Sequence, residues 1–474
     1  MHKIYMNKLS HNKIQFDKII IFFSIVIVGL LMIWGNPAIT FINFLVLFII
    51  VYFSAYSYIP PVLFFILFYH WIQTYTTVIM ANYIGQDIDI KSENASLAVL
   101  LCLVGITLMT FIYKSQIKKI IPYTLTQLRT AAEELSSTNI LIAYILFYFL
   151  TNLLSAIAFS LPGLTQVIYS LIQLKWAMFC LFALVCLFKK EKYFILILII
   201  LLEIIAGLFS YFSSFKEVII YIILVSFSFI TNVRFKQFFI SILLFSVLVV
   251  AGIFWQSIKS DYRSYLSGGE RKQQVTVESE QAYEKLMDLA DKTDINIFNA
   301  TVVTFLSRIA YTYHFQLVLD RIPKYLPHEE GELWTSNLKF IFTPRALDSN
   351  KGILDPSAKT NKYAGTNYSG VNQGTSISLG YFVEGYIDFG KFGMYIPILV
   401  LSFVLAYFFR YFINTGSPNV LLNYSVVYAM FTPFFAMESD AIFYTGRLVI
   451  TIITFFALKY IILMWSLPLL RRNQ

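Results

Sequence analysis

The sequence predicts an all-α integral membrane protein with about twelve transmembrane helices and one large outward-facing loop between spans nine and ten. Hydrophobic residues make up 58% of the 474-residue chain and form continuous apolar runs long enough to cross a bilayer as helices. The runs lack the alternation that a barrel wall needs. Residues 257–391 are polar and charge-rich, and they interrupt these runs.

The predicted spans fall into two groups around this loop. An N-terminal bundle within residues 1–256 contains nine of them, and a C-terminal group within 392–474 contains three. A basic linker at 114–138 separates spans four and five, and it fits an interfacial amphipathic helix or an ordinary solvated linker equally well. The apolar runs are 19–35, 38–57, 60–82, 95–113, 139–161, 165–188, 193–209, 217–232, 237–256, 393–413, 419–437 and 445–466.

The charges of the connections predict that both termini are cytoplasmic. Lysine and arginine cluster before the first span and after spans four, six, eight, ten and twelve. The alternate connections are acidic or neutral, as at 87–93 and 438–440. The positive-inside rule therefore places the loop 257–391 on the outer face. We attribute the net charge of +9 to this orientation and expect no nucleic-acid partner.

Other common signals are weak or absent from the sequence. The three cysteines fall within apolar runs and the loop has none, so no disulfide framework is expected. No small-residue cleavage pattern follows the first apolar run, which is therefore expected to remain as an anchor. No P-loop, Rossmann fingerprint, zinc spacing or nucleophile elbow occurs, and we expect no cofactor. Asp87 and Asp89 form only a lone D-x-D pair, too weak a signal to assign a metal site.

Within the loop, helical spacing is found over 279–291 and again over 295–320. The following stretch, 343–380, is rich in glycine, asparagine, serine and threonine and is predicted to be irregular. From about Gly380 the chain becomes helix-like and continues into span ten.

Several cations of the outward face are suited to binding an anion. Arginine's planar fork matches phosphate oxygens, and a diphosphate would need two or more such cations. Arg308 and Arg345 stand out because apolar residues surround them; the alternative for any of these residues is a solvated salt bridge or a snorkelling lysine. The candidates are Lys216, Arg263, Arg308, Arg321 and Arg345.

Three residues are candidates for proton transfer. Glu384 and Asp388 are separated by one helical turn at the start of span ten, where either one can accept a proton or serve as a capping or salt-bridging residue. His314 titrates near neutral pH, although an interfacial histidine can also simply hold its helix in place. Lys175 and Glu203 lie at matching depths in spans six and seven and are predicted to form a structural pair, with a substrate contact as the alternative.

The chain resembles the O-antigen polymerase (oligosaccharide repeat-unit polymerase) family of bacterial cell envelopes. The architecture is similar, and so are two motifs: Thr343-Pro-Arg-Ala-Leu-Asp-Ser-Asn-Lys351 and Glu384-Gly-Tyr-Ile-Asp-Phe-Gly-Lys-Phe-Gly393. The stretch Ser307-Arg-Ile-Ala-Tyr311 and the Ser-Ser-Phe-Lys216 turn also look like family features. The family's Pro-x-Lys is replaced here by Ser-Asn-Lys, which weakens the assignment of Lys351.

The resemblance implies a GT-C-like bundle and a glycosyltransferase that polymerises a polysaccharide such as that of lipopolysaccharide. Its donor and acceptor would be undecaprenyl diphosphate-linked oligosaccharides at the outer (periplasmic) face of the bacterial inner membrane. A chain-length regulator is a further expected partner. Glu384, His314 and Asp388 would act on the hydroxyl, with Tyr311 and Lys351 joining the cations at the substrate.

Two other functions remain open on the sequence. An O-antigen ligase shares this layout but transfers the glycan to a lipid A core or a protein. A lipid-linked oligosaccharide flippase would need no catalytic loop and should show two comparable halves, whereas this chain is asymmetric. The product separates the three: a ladder of repeats, a single capped acceptor, or translocation alone.

Overall fold

The structure is a computed structural model that describes residues 12–90, 92–160, 165–208, 215–269, 276–343, 348, 351–352, 354–370, 376–459 and 468–471. These residues are mainly helical, and the predicted all-α class is confirmed. Two short strands, β1 (Gln15–Phe16) and β2 (Asn232–Val233), pair in parallel.

The helices before the loop run from the first apolar run to the end of the ninth. They are α1 (Lys18–Trp34), α2 (Pro37–Ser54), α3 (Val62–Ile84), α4 (Ala95–Ile117), α5 (Leu125–Glu133), α6 (Ser137–Ser160), α7 (Thr165–Lys189), α8 (Tyr193–Leu208), α9 (Phe215–Phe227) and α10 (Phe235–Leu266).

The segment predicted to face outward, residues 257–391, which we call the outward segment, is itself largely helical in its described residues. It contains the end of α10, then α11 (Ser279–Asp291), α12 (Ile295–Ile309), α13 (Thr312–Arg321), α14 (Glu332–Phe342), α15 (Pro356–Ala364) and α16 (Tyr381–Gly393). The chain then returns to the bundle in α17 (Tyr395–Thr415), α18 (Val420–Phe431) and α19 (Ala441–Leu458).

Seven helices are long and apolar enough to cross a membrane. These are α2, α3, α4, α7 over Ile168–Lys189, α10, α17 and α19. The other predicted spans fall on α1, α6, α8, α9 and α18, which do not meet the same length and hydropathy over their described residues. The total of twelve spans stays a prediction.

The centre of the bundle is formed by α7 and α18. Helix α18 is buried along its whole length, and α7 is buried from Leu174 to Cys186 and packs against both α6 and α18. The three cysteines, Cys102, Cys180 and Cys186, are buried in helices as predicted, and there they fill space as small hydrophobes.

Several of the basic connections contact one another. β1, which precedes α1, pairs with β2 between α9 and α10, and Ser136 N in the linker donates to Leu470 O at 2.8 Å. Tyr311 N donates to Gln73 O at 3.1 Å, which joins the outward segment to α3. Which side of the membrane each connection faces stays a prediction.

Two expectations about the loop were wrong. The predicted helix 295–320 breaks at Ala310 and Tyr311, because the Tyr311 amide bonds to α3 rather than continuing the helix. The stretch 343–380 is not irregular throughout, since α15 forms within it. Asp355 caps α15 by accepting from Ala358 N at 3.3 Å, Pro356 occupies the first turn, and Gly365 ends the helix in the left-handed region.

The linker 114–138 contains a packed helix. In α5 the Thr124 and Gln127 side chains form a capping box, and Leu128 and Ala132 are buried against the bundle. The apolar face of this amphipathic helix therefore packs on α7 and α18.

Reporter fusions test the predicted orientation. Fusions after Lys192 and Lys236 are expected to report a cytoplasmic location, and a fusion after Gly331 an outer one, because the short basic connections are predicted to share one side. An outer signal at either lysine, or a cytoplasmic signal at Gly331, would rule out this orientation.

Candidate functional site

The start of α16 is fixed to the segment that precedes α19. Gly380 N donates to Asp440 Oδ1 at 3.0 Å, and Tyr381 N donates to Ser439 O at 2.9 Å. Gly380 has φ +87°, and a Cβ there would collide with the Tyr311 hydroxyl and with Met437 O. Glycine is therefore required at this position, and it brings Glu384 to the N-terminus of α19.

Glu384 lies in a buried ion-pair cluster. Lys359 Nζ is 2.5 Å from Glu384 Oε1 and 2.8 Å from Asp440 Oδ2, and Asn337 Nδ2 donates to Glu384 Oε2 at 3.0 Å. The exposed fraction is 0% for Glu384 and 1% for Asp440. Helices α14, α15, α16 and α19 thus meet at one set of charges, which we call the Lys359 triad (Lys359, Glu384 and Asp440).

The triad shifts the titration of its members. Burial raises the pKa of Glu384, the Asp440 carboxylate adds to this, and Lys359 opposes both. Burial alone would lower the pKa of Lys359, but the two carboxylates outweigh it and its pKa is raised. The ammonium is therefore held charged. Both oxygens of Glu384 are occupied by protein donors, which favours a structural over a proton-accepting role in this arrangement.

Asp388 caps a helix. Its carboxylate oxygens accept from Leu333 N at 3.2 Å and from Trp334 N at 2.8 Å, at the start of α14. Burial raises the pKa of Asp388, and these two amides oppose the shift. Glu384 and Asp388 lie on one helix as predicted, but they bind different groups: Glu384 pairs with Lys359, and Asp388 accepts from backbone amides of α14.

His314 lies on α13, which packs on α15. Its Nε2 is 3.1 Å from the Tyr368 hydroxyl, and the two rings are in edge-to-face contact. Burial lowers the pKa of His314 from 6.5 to about 4, so the imidazole is neutral at neutral pH. It is half-buried and retains an open face, unlike Glu384 and Asp388.

Four cations gather where α9, α10 and α12 meet. Arg308 Nη1 donates to Gln256 Oε1 at 3.2 Å, and the charges of Lys216, Arg263 and Arg308 all act on Lys259. Among the described residues no carboxylate forms a salt bridge with Lys216, Lys259 or Arg308. We call these four residues the cation cluster (Lys216, Lys259, Arg263 and Arg308).

The cation cluster lies at the end of a helix surrounded by apolar surface. Every residue from 239 to 248 of α10 is exposed, including Leu243 and Phe245, and beyond this stretch α10 packs on α11 and α12. A hydrocarbon chain can therefore lie along α10 below the cations.

The remaining candidates are placed elsewhere or have structural contacts. Lys351 Nζ donates to the carbonyl oxygens of Phe340, at 2.5 Å, and Thr343, at 2.7 Å, and so closes the turn after α14. Tyr311 is buried against Gly380. Arg321 packs on Gly365, and Arg345 lies outside the described residues.

The D-x-D pair shapes its own turn. Asp87 Oδ1 accepts from Asp89 N at 2.8 Å, and Asp89 Oδ1 accepts from Ser96 N at 2.7 Å. In the described ranges no group of three or more histidine, cysteine, aspartate or glutamate side chains is arranged to hold a metal ion.

Sequence reasoning found one ion pair and missed another. Lys175 Nζ lies 3.0 Å from Glu203 Oε2, and Tyr144 donates to the other carboxylate oxygen, so the predicted structural pair is confirmed. Lys359 and Lys259 were not identified. The capping signals of α15 could have placed Lys359 on a helix, but its partners are distant in sequence.

The comparisons with known proteins leave the activity open. A protein-family model described as Domain of unknown function (DUF8712) matches residues 44–411. The chain belongs to this family. The DUF8712 match includes the cation cluster, Lys359 and Glu384, and it ends before Asp440. Neither a curated protein nor a solved structure matches the chain significantly.

Removing one charge of the triad should destabilise the fold. Lys359→Met leaves two buried carboxylates without their cation, and loss of one partner of such a pair costs ~3–5 kcal/mol. We expect a lower thermal unfolding temperature for Lys359→Met and partial recovery in Lys359→Met/Glu384→Gln. Lys362→Met on the same helix is the control, since that lysine is 56% exposed and bonds to Glu329. Equal unfolding temperatures for the control and Lys359→Met would contradict the buried-triad interpretation.

Acidification should destabilise the protein through His314. The unfolded chain binds this proton near pH 6.5 and the folded chain near pH 4, so the stabilisation is present above pH 6.5 and is lost as the pH falls through that window. Unfolding of wild type and His314→Gln measured between pH 8 and pH 4 should show a smaller loss for the variant. Parallel curves would exclude this contribution.

Proposed function

We propose that this DUF8712 protein is a polysaccharide polymerase of the bacterial inner membrane. It transfers a growing glycan from undecaprenyl diphosphate to a sugar hydroxyl of the next lipid-linked repeat, at the outer membrane face. The proposal is supported by the resemblance to O-antigen polymerases and by the position of the cation cluster at the membrane boundary.

The observation that carries the proposal is the pairing of cations with lipid-facing surface. A lipid diphosphate has an anionic head and a long apolar tail, and it needs both features at one place. The cation cluster supplies charge at the outer end of α10, while 239–248 offers apolar surface below it. Lys259 joins the candidates that sequence reasoning proposed, since Lys216, Arg263 and Arg308 surround it.

The main catalytic contribution would be stabilisation of the leaving diphosphate. Negative charge grows on the bridging oxygen as the glycosidic bond breaks, and fixed cations stabilise that charge more in the transition state than in the ground state. Like charges crowded together repel one another, so an anion that binds among them relieves that repulsion. This favours two-oxygen contacts from Arg263 and Arg308 and point-charge contacts from the lysines.

The hydroxyl would be activated close by. Arg308 precedes Tyr311 by three residues, so their Cα atoms are at most ~11 Å apart. The charges of Glu384 and Asp440 both act on the Tyr311 hydroxyl. Glu384 and His314 remain the proposed proton acceptors. To act, Glu384 would have to exchange a protein donor for the substrate hydroxyl, whereas His314 has an open face but low basicity.

Turnover of purified lipid-linked repeats tests the proposal. Arg308→Ala and Lys259→Ala are each expected to slow formation of the polymer ladder ~10-fold or more, since a charge-assisted contact is worth ~1.5–3 kcal/mol. Arg345→Ala is predicted from the sequence to have the same effect. The matched control is Lys292→Ala on neighbouring α11, where the lysine is 67% exposed and bonds to Asp288.

Two outcomes would count against the proposal. Wild-type turnover in both Arg308→Ala and Lys259→Ala would remove the cation cluster from the reaction. A single capped product from the wild-type protein would indicate a ligase, and transport without any product would indicate a flippase.

A further inference from the structure

The ammonium of Lys359 has hydrogen-bonding capacity left over. An ammonium has three N–H donors; one is donated to Glu384 Oε1, and Asp440 Oδ2 is paired with the ammonium by charge at 2.8 Å. Among the described residues no third acceptor is found for Lys359. One donor is therefore available to a group that comes from outside the protein.

Lys359 is also the member of the triad that reaches the surface. Its side chain is 18% exposed, against 0% for Glu384 and 1% for Asp440. The two carboxylates are more deeply buried than the ammonium, and they influence a bound molecule only by holding the ammonium in position. A molecule that arrives at this point meets the ammonium first, and the geometry of the ammonium is fixed from two sides.

The charge of the triad limits what can bind. The two carboxyl groups offset the charge of the ammonium, so the triad as a whole has no net positive charge to attract a phosphate or a carboxylate. A neutral oxygen needs no net charge and still accepts the free N–H. Hydroxyl oxygens of sugars fit this requirement, whereas the anionic head of a lipid fits the cation cluster.

We propose that Lys359 binds a sugar hydroxyl of the oligosaccharide, with Glu384 and Asp440 as positioning residues that hold its ammonium in place. The inference rests on the proposed function and deepens it, because it divides the substrate between two sites. The diphosphate occupies the cation cluster, and a sugar of the glycan reaches Lys359 on α15.

The experiment measures glycan binding separately from turnover. The probe is the mixture of oligosaccharides released by mild acid from the host cell's lipid-linked sugars, which carry neither lipid nor diphosphate. Ligand-observed NMR with the full-length protein in nanodiscs should show binding to wild type. Lys359→Met should weaken it ~10-fold or more, as expected for loss of one charge-assisted hydrogen bond. Lys362→Met is the control and should bind like wild type.

A second pair of variants guards against misfolding. Glu384→Gln keeps Lys359 bonded to Asp440 and should retain most of the affinity, while Lys359→Met/Glu384→Gln removes both charges of one ion pair and should lose it. Equal affinity in these two variants would overturn the proposal. So would wild-type affinity in Lys359→Met, an equal loss in Lys362→Met, or no binding to wild type.

The two proposals can fail independently. If wild type produces no polymer yet the binding pattern holds, the polymerase assignment falls and the sugar site at Lys359 stands. If wild type polymerises and Lys359→Met binds and turns over normally, the sugar site falls and the polymerase assignment stands.

Discussion

The packing of the segment 257–391 on the bundle depends on the neutralisation of two buried carboxylates by one lysine. Glu384 and Asp440 come from the helices that lead back into the bundle, and Lys359 comes from a short helix of the outward segment. Neither carboxylate can be buried at low free-energy cost without that lysine. The packing of α15, the course of α16 and the start of α19 therefore depend on one another.

The same arrangement separates two kinds of charge. In the Lys359 triad the cation is matched by anions, so it can orient a neutral partner but does not attract an anion. In the cation cluster, like charges lie together at the end of an apolar helix and favour an anion with an apolar tail. A substrate with a charged lipid head and an uncharged glycan would suit both places at once.

The sequence predicted most where the physical signal was local. The length of the apolar runs identified the helices. Because only a tight turn separates α7 from α8, Lys175 and Glu203 were expected to lie at the same depth and to contact each other, which they do. The start of α16 was also identified, with Glu384 and Asp388 on it. Sequence reasoning missed contacts between residues that are far apart in the chain. Lys359 is 25 residues from Glu384, and no sequence periodicity predicts a contact over that separation. The break at Ala310 likewise comes from a bond to α3, which no property of 295–320 contains.

The length of α10 has a consequence for the membrane in which the protein works. A helix of 32 residues spans ~48 Å, whereas the hydrocarbon core of a bilayer is ~30 Å thick. Lys259 and Arg263 lie near its C-terminal end, so the position of these cations relative to the acyl chains depends on how the bilayer fits the helix. A thicker membrane would draw the cations down towards the headgroups, and a thinner one would lift them away or tilt the helix. Bilayer thickness therefore helps to determine how far the cation cluster lies from the lipid headgroups.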